Sequence, residues 1–254
     1  MDRKVELVEE FYAGLPKDRC KVETAEHGFG FLEETLNSGG EGGMRLEYGE
    51  RVLCRELHKY KFANVPRLKM DELLLGHVRK GCNVCLYFAA EGNRLFAFNL
   101  DNHGEGNHAA VTAEMTLAVS LLREVLAGLG CEPLIVASGK GYHLWCRLDG
   151  AVSNEELYKF MLRTMAKALH GVYLKGLDHQ RINARFYPDP RTVGKVSLRL
   201  FGSDHPYNKV FSRVLTRDGL LDEEGSWKAF EEHLRVKTIG GERFREACEV
   251  ILVR

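Results

Sequence analysis

The stretch Phe96-Ala97-Phe98-Asn99-Leu100-Asp101 reads as a buried strand that ends by presenting polar side chains. Residues two apart on a strand project to the same side, so Asn99 and Asp101 share a face. The stretch Ser138-Gly139-Lys140-Gly141-Tyr142-His143 reads as a tight polar turn feeding another strand. Its glycines let backbone N–H groups approach an anion closely. Ser138 supplies a donor, Lys140 a charge, and His143 opens the next strand. Read alone, the first stretch is also compatible with turn or capping residues, and the second with a glycine-rich hairpin carrying a surface lysine.

Around these stretches the sequence alternates strands and helices. Asn83–Ala89 and Arg94–Asp101 are strand-like runs separated by Glu91-Gly92-Asn93, which predicts a β-hairpin. A helix is expected from about Ala109 to Leu129, with Val111, Met115, Ala118, Leu122, Val125 and Leu129 at helical spacing. Pro133–Ala137 and Tyr142–Leu148 are the next strands. Ser153-Asn154-Glu155-Glu156 is a capping box, opening a helix that Gly171 is expected to close. Val172–Leu177, Lys195–Leu200 and Val210–Leu215 read as short strands. From about Glu223 two amphipathic helices follow. Residues 1 to 75 read as mainly helical, with a helix over Glu50–Lys61 that Pro66 breaks and a glycine-rich loop at Ser38–Gly43. The expected division is a helical N-terminal flank over 1–75, a core over 76–217 and a helical C-terminal segment over 218–254, together one α+β domain.

Composition bounds the function. The 254 residues carry no net charge and are 44% hydrophobic and 28% charged, ordinary for a soluble globular chain. No apolar run reaches the ~18 residues of a membrane span, and the charged N-terminus lacks the core of a signal peptide. Seven scattered cysteines argue against a disulfide framework. A cytoplasmic protein with no membrane partner is therefore expected. The segment Lys175–Arg217 is locally basic, with nine basic residues against Asp178, Asp189 and Asp204.

Two further places could carry chemistry. Arg199 lies in the apolar run Val196-Ser197-Leu198-Arg199-Leu200-Phe201, followed by Gly202-Ser203-Asp204-His205 and then Lys209. An arginine inside an apolar strand needs an anionic partner, unless the strand is an edge with Arg199 on its wet side. Asp178 ends an apolar run as Asp101 does, although a helix cap or loop would also place it there. Cys82-x-x-Cys85 with His77 has metal-ligand spacing, but no second pair exists to complete a tetrahedral site. Zinc is accordingly not expected. His103-Gly104-Glu105 is an H-x-E in the wrong order for a zinc deaminase.

In this order the motifs resemble the archaeo-eukaryotic primase superfamily, whose primase–polymerases include those of mobile elements and prokaryotic defence systems. Phe98-Asn99-Leu100-Asp101 matches its Asp-x-Asp/Glu strand end, Ser138–His143 its Ser-Gly-x-Gly-x-His turn, and Leu177-Asp178 its hydrophobic-Asp. Arg199-Leu200-Phe201-Gly202-Ser203-Asp204-His205 matches its Arg-Leu-Pro-Gly-Ser-x-His run. The resemblance covers about residues 77 to 215. It implies an RRM-like catalytic core sheet, helical flanks, and a DNA primase/polymerase that transfers nucleotides from nucleoside triphosphates onto a primer or initiating nucleotide. It further implies a two-metal Mg²⁺ or Mn²⁺ site held by Asn99, Asp101 and Asp178, these three being the catalytic residues, with Asp189 and Asp204 open as alternatives to Asp178 for the third ligand. Ser138, Lys140, His143, Arg199, Ser203, His205 and Lys209 would bind the nucleotide. Single-stranded DNA template, primer and nucleoside triphosphates would be the partners, with room for a helicase or other replication or defence domains.

Asn99 departs from the pattern, because an amide stands where the family carries an acid. Three explanations are open: an inactive natural protein that still binds nucleotide or nucleic acid, an altered metal arrangement, or a form in which the acid was exchanged for the amide. The intact remainder of the motifs favours the last. The alternatives to an enzyme are a non-catalytic nucleotide- or nucleic-acid-binding module on the same fold and an RNA-binding sheet of RRM type; the latter leaves Lys140, His143 and Arg199 unexplained.

Overall fold

The structure is a computed structural model that describes residues 2–16, 19–24, 28–36, 42–48, 70–102, 112–205, 209–236 and 238–253. The helix expected over Glu50–Lys61, Pro66, the His103-Gly104-Glu105 run and most of the glycine-rich Ser38–Gly43 loop lie outside the described residues. The elements are α1 (Arg3–Phe11), β1 (Arg19–Thr24), β2 (Gly28–Leu36), β3 (Gly42–Tyr48), α2 (Met70–Val78), β4 (Asn83–Tyr87), β5 (Gly92–Asn102), α3 (Ala113–Gly128), β6 (Leu134–Ala137), β7 (Gly141–Ser153), α4 (Asn154–Leu174), a 3₁₀ turn (His179–Arg181), β8 (Ile182–Tyr187), β9 (Ser197–Arg199), β10 (Arg213–Val214), α5 (Glu223–Leu234) and α6 (Gly241–Val253). No helix among the described residues is long and apolar enough to cross a membrane.

The chain divides into two compact units, Met1–Phe88 with Gly194–Phe211, and Ala89–Val193 with Ser212–Arg254. This corrects the expected division at residues 75 and 217. The cause is non-local: β9 pairs with β4, drawing residues 194–211 into the first unit.

In the first unit the five strands run in the order β3-β2-β1-β4-β9, every neighbouring pair antiparallel. Asp2 caps α1 by accepting from the Lys4 N–H at 3.0 Å, and Val5, Leu7, Val8 and Phe11 form its buried face. The expectation of a mainly helical N-terminal flank is corrected here, since β1, β2 and β3 stand between α1 and α2. Arg19-Cys20-Lys21-Val22-Glu23-Thr24 alternates charged with less polar residues, a period-two signal too short to outweigh the helical spacing around it.

The second unit has the chain order β5-α3-β6-β7-α4-β8 and the sheet order β10-β6-β7-β5-β8. β7 lies between β5 and β6 and antiparallel to both, and β5 lies between β7 and β8. This is the split βαβ arrangement, the RRM-like sheet with helices that the motifs imply. Phe96, Phe98 and Leu100 of β5 are fully buried against Met115 and Leu122 of α3 and Phe160 and Met161 of α4. Each such side chain contributes roughly 1.5–3 kcal/mol by leaving water. Thr112 caps α3 through the Met115 N–H, and Ser153 caps α4 through the Glu156 N–H, as the capping box predicts.

Three local expectations fail in this unit. The hairpin does not form, because β4 and β5 lie in different sheets. Gly92 instead pairs with Ser153, and the Asn93 amide bonds both the Ala89 N–H and C=O and reaches Asn154 Oδ1 at 2.7 Å. Gly92 and Asn93 thus begin β5 rather than turning the chain. Gly171 does not close α4: a Cβ there would meet Leu121 Cδ1 at 2.7 Å, so this glycine permits close helix approach. The helix runs to Leu174, and Gly176, at φ +75°, is the terminating residue. Val172–Leu177 is therefore the end of a helix and not a strand. Finally, β8 was not anticipated, although Ile182, Ala184 and Phe186 alternate with Asn183, Arg185 and Tyr187.

Candidate functional site

The stretches Phe96–Asp101 and Ser138–His143 meet side by side. On β5 and β7, Asn99 pairs with His143 and Asp101 with Gly141. Because pairing partners share a face, His143 lies beside Asn99 on the side of the sheet turned away from Phe98 and Leu100. Gly141 is required at its position, since a Cβ would collide with the Leu100 carbonyl oxygen and press on Met115 Cε at 2.9 Å. The turn before it is closed by the Ser138 N–H donating to the Gly141 carbonyl at 2.8 Å, with Gly139 at φ +93°. Ser138 is buried and Lys140 half-buried at the same end of the sheet.

The other neighbour of β5 adds Arg185 and Tyr187, which the sequence reading did not assign to the site. On β8, Arg185 pairs with Asn99 and Asn183 with Asp101. Tyr187 follows Arg185 on the same face and is buried, its phenol within electrostatic reach of Arg185 and Asp101. Burial raises the Tyr187 phenol above its ordinary value, opposed by the nearby Arg185 charge. The alternation along β8 was the signal that could have found both residues.

Asn99 is held in one orientation. Its Nδ2 donates to Asp101 Oδ2 at 3.0 Å, so the nitrogen must face the carboxylate and the Oδ1 must face away. That Oδ1 is buried and has no hydrogen-bond partner. A buried acceptor left unmatched costs about 1–3 kcal/mol. An oxygen so placed beside a carboxylate fits a hard divalent cation, which is commonly bound through one or two carboxylates with waters and phosphates completing its shell. Asp178 stands elsewhere in the same unit. It caps the 3₁₀ turn through the Gln180 N–H at 3.0 Å and lies 3.5 Å from Arg181, four residues ahead of the first β8 pair, Ile182 with Asn102. Among the described residues no group of three His, Cys, Asp or Glu is arranged to hold a metal.

The Arg199–Lys209 run belongs to the first unit. Arg199 on β9 pairs with Cys85 of β4 and is 8% exposed. The turn after it is fastened at successive points. The Phe201 N–H donates to the Tyr12 hydroxyl at 3.1 Å, and Ser203 Oγ donates to the Cys82 carbonyl at 3.1 Å. His205 is buried, and its N–H donates to the Val210 carbonyl at 2.8 Å. Lys209 adopts φ +57° and donates its N–H to the His205 carbonyl at 2.9 Å. His77 accepts at Nδ1 from the Val84 N–H at 3.1 Å, which fixes its proton on Nε2, 2.9 Å from the Phe201 carbonyl. Burial, with Arg199 nearby, lowers its pKa to about 4, against the Phe201 hydrogen bond. His77 is thus a neutral strut, and Cys82 Sγ faces the Leu73 carbonyl at 3.6 Å.

No protein-family model matches the chain, and no curated protein matches it. Among solved structures the chain is similar to the polymerase domain of Mycobacterium tuberculosis ligase D in complex with DNA. That match has 14% identity and a TM-score of 0.46 over 97% of this chain and 84% of that one. It is also similar to the catalytic domain of primase RepB′ in complex with initiator DNA, at 15% identity and a TM-score of 0.33 over 98% of each chain.

Proposed function

We propose that the protein is a metal-dependent nucleotidyltransferase of the primase–polymerase kind, extending a primer or initiating nucleotide from nucleoside triphosphates on single-stranded DNA. The observation that carries this reading is the Asn99–Asp101–His143–Arg185 arrangement across three adjacent strands. It sets a carboxylate and an oriented amide oxygen beside basic groups at one end of three adjacent strands.

Asn99 Oδ1 and Asp101 would hold Mg²⁺ or Mn²⁺, with Asp178 as the further ligand that the motif resemblance supplies. Such an ion would polarise a phosphoryl oxygen and neutralise charge in an in-line displacement. The chain's own groups do the rest. Lys140 and the backbone of the Ser138–Gly141 turn cradle a polyphosphate. His143 donates from the neighbouring strand, and Arg185 supplies a planar, bidentate phosphate partner. The Arg199, Ser203, His205 and Lys209 run is proposed, on its own residue types, as a second phosphate-binding element. Residue 99 decides the outcome: with an amide the site has one carboxylate fewer for metal, and the active form carries an acid there.

The test is primer extension on a single-stranded template with Mg²⁺ or Mn²⁺. Asn99→Asp should raise incorporation by orders of magnitude, and adding Asp101→Ala should abolish it. A protein that binds nucleotide or DNA but gains nothing from Asn99→Asp would be a non-catalytic binding module instead.

A further inference from the structure

The end of α4 and the turn after it present an aromatic group to solvent. Tyr173 is 62% exposed and Leu174 68% exposed. The Tyr173 ring lies near-parallel to His170, at 25° with centroids 6.4 Å apart, and edge-on to His179 at 5.9 Å. Tyr173 and Leu174 together expose an aromatic and an aliphatic face at the end of the helix. Lys175 and Arg181 are exposed, each two residues along the chain from a ring, Tyr173 and His179. Two acids stand among them: Arg181 lies against Asp178 at 3.5 Å, and Glu114 feels the charges of both.

The position of this patch matters as much as its chemistry. The 3₁₀ turn that holds His179 and Arg181 runs directly into β8, whose first residue, Ile182, pairs with Asn102, next to Asp101. The patch therefore adjoins the Asp101 end of the sheet within one unit. An apolar protein surface would account for Tyr173 and Leu174, but not for a ring cluster bracketed by histidines, a lysine and an arginine. Aromatic faces among cationic side chains are how proteins hold single-stranded nucleic acid, with bases stacking on rings and phosphates meeting the cations.

We propose that His170, Tyr173 and His179, with Lys175 and Arg181, form a stacking platform for single-stranded nucleic acid beside the Asp101 edge. This rests on the nucleotidyltransferase reading and assigns it a strand-binding surface. Tyr173 stacks on a base, and the lysine and arginine meet the flanking phosphates.

The experiment is fluorescence anisotropy of a labelled oligo(dT) and of an abasic strand of equal length, titrated with the full chain. Tyr173→Ala should weaken oligo(dT) binding roughly tenfold, the order of loss expected for one base stack. Tyr173→Phe should retain the affinity, and the abasic strand should be indifferent to both changes. Lys175→Ala should weaken both strands alike and flatten the salt dependence. Equal oligo(dT) affinity for wild type and Tyr173→Ala overturns the platform while leaving the functional reading standing. So does a Tyr173→Ala variant whose only change is loss of a dimer on sedimentation, which would make the patch a protein contact. A wild-type chain with no affinity for oligo(dT) removes the template half of the functional reading, and the platform with it.

Discussion

Asn99 and Asp101 stand two residues apart on β5, and the Asn99 amide nitrogen donates to Asp101 Oδ2 at 3.0 Å. The bond spends an amide hydrogen on the carboxylate and leaves Asn99 Oδ1 buried without a hydrogen-bond partner. An acid at position 99 could not make that bond when ionised. It would instead set two negative charges on one strand face, a pairing that opposes folding unless a cation lies between them.

Metal dependence should therefore change with the residue at 99. Asn99→Asp is expected to melt below the parent in EDTA, by an amount corresponding to about 1–2 kcal/mol, and to regain or exceed the parent Tm in millimolar Mg²⁺ or Mn²⁺. Differential scanning fluorimetry with and without chelator reads this directly. A chelator-insensitive Asn99→Asp protein would mean that no cation is shared at this edge.

Arg185 is expected to contact phosphate. Arg185→Ala should weaken binding of a nucleoside triphosphate in Mg²⁺ by roughly ten- to a hundredfold, in keeping with a lost charge-assisted pair. Arg185→Lys should recover only part of it, because lysine lacks the planar fork. Isothermal titration calorimetry, with thermal melts to show that both variants fold, decides between this and a solvated surface arginine.

Gly141 should tolerate no side chain. Gly141→Ala forces a methyl group into the Leu100 carbonyl, so β7 must separate from β5 at Asp101. A loss of about 3 kcal/mol or more is expected, together with loss of nucleotide binding. Gly150→Ala, where nothing lies within 4 Å of the added carbon, should change stability by less than about 0.5 kcal/mol. Urea denaturation of the two variants compares them.

Acid should destabilise the fold through His77. Its pKa is about 4 in the folded chain against 6.5 ordinarily, because burial disfavours the charged ring. Between these values the unfolded state binds more protons than the native state, so stability rises with pH. It is complete above about 6.5 and falls as pH drops towards 4, by about 3 kcal/mol in all. His233, also lowered to about 4 by burial and then by Arg147, adds in the same direction. Urea midpoints at pH 7.5, 5.5 and 4.5 should decline accordingly. His77→Ala should begin about 2 kcal/mol lower, with the Val84 N–H and Phe201 carbonyl left unpaired, and fall less steeply. Parallel curves for the two proteins would assign the acid sensitivity elsewhere.

What could be read from the sequence was local. The alternation in Phe96–Asp101, the glycine-flanked Lys140 and the capping box at Ser153 each depend on neighbours a few residues away, and each forms as expected. The helical reading of residues 1–75 and the hairpin at Gly92-Asn93 went astray because local spacing does not say which strand a strand will choose. β4 takes β1 and β9, while β5 takes β7 and β8.

The site follows the same division. Sequence determined that Asn99 and Asp101 share a face and that a polar turn precedes His143, since both are consequences of strand geometry and glycine. Only the tertiary structure decided that Arg185 lies opposite Asn99 and that buried Tyr187 stands beside Arg185 on the same face. Only it left Oδ1 of Asn99 buried and unmatched, because register between β5 and β8, 86 residues apart from Asn99 to Arg185, is set by packing of the whole sheet. The chain wrote the residues of the edge in plain order, and long-range pairing turned them into one surface.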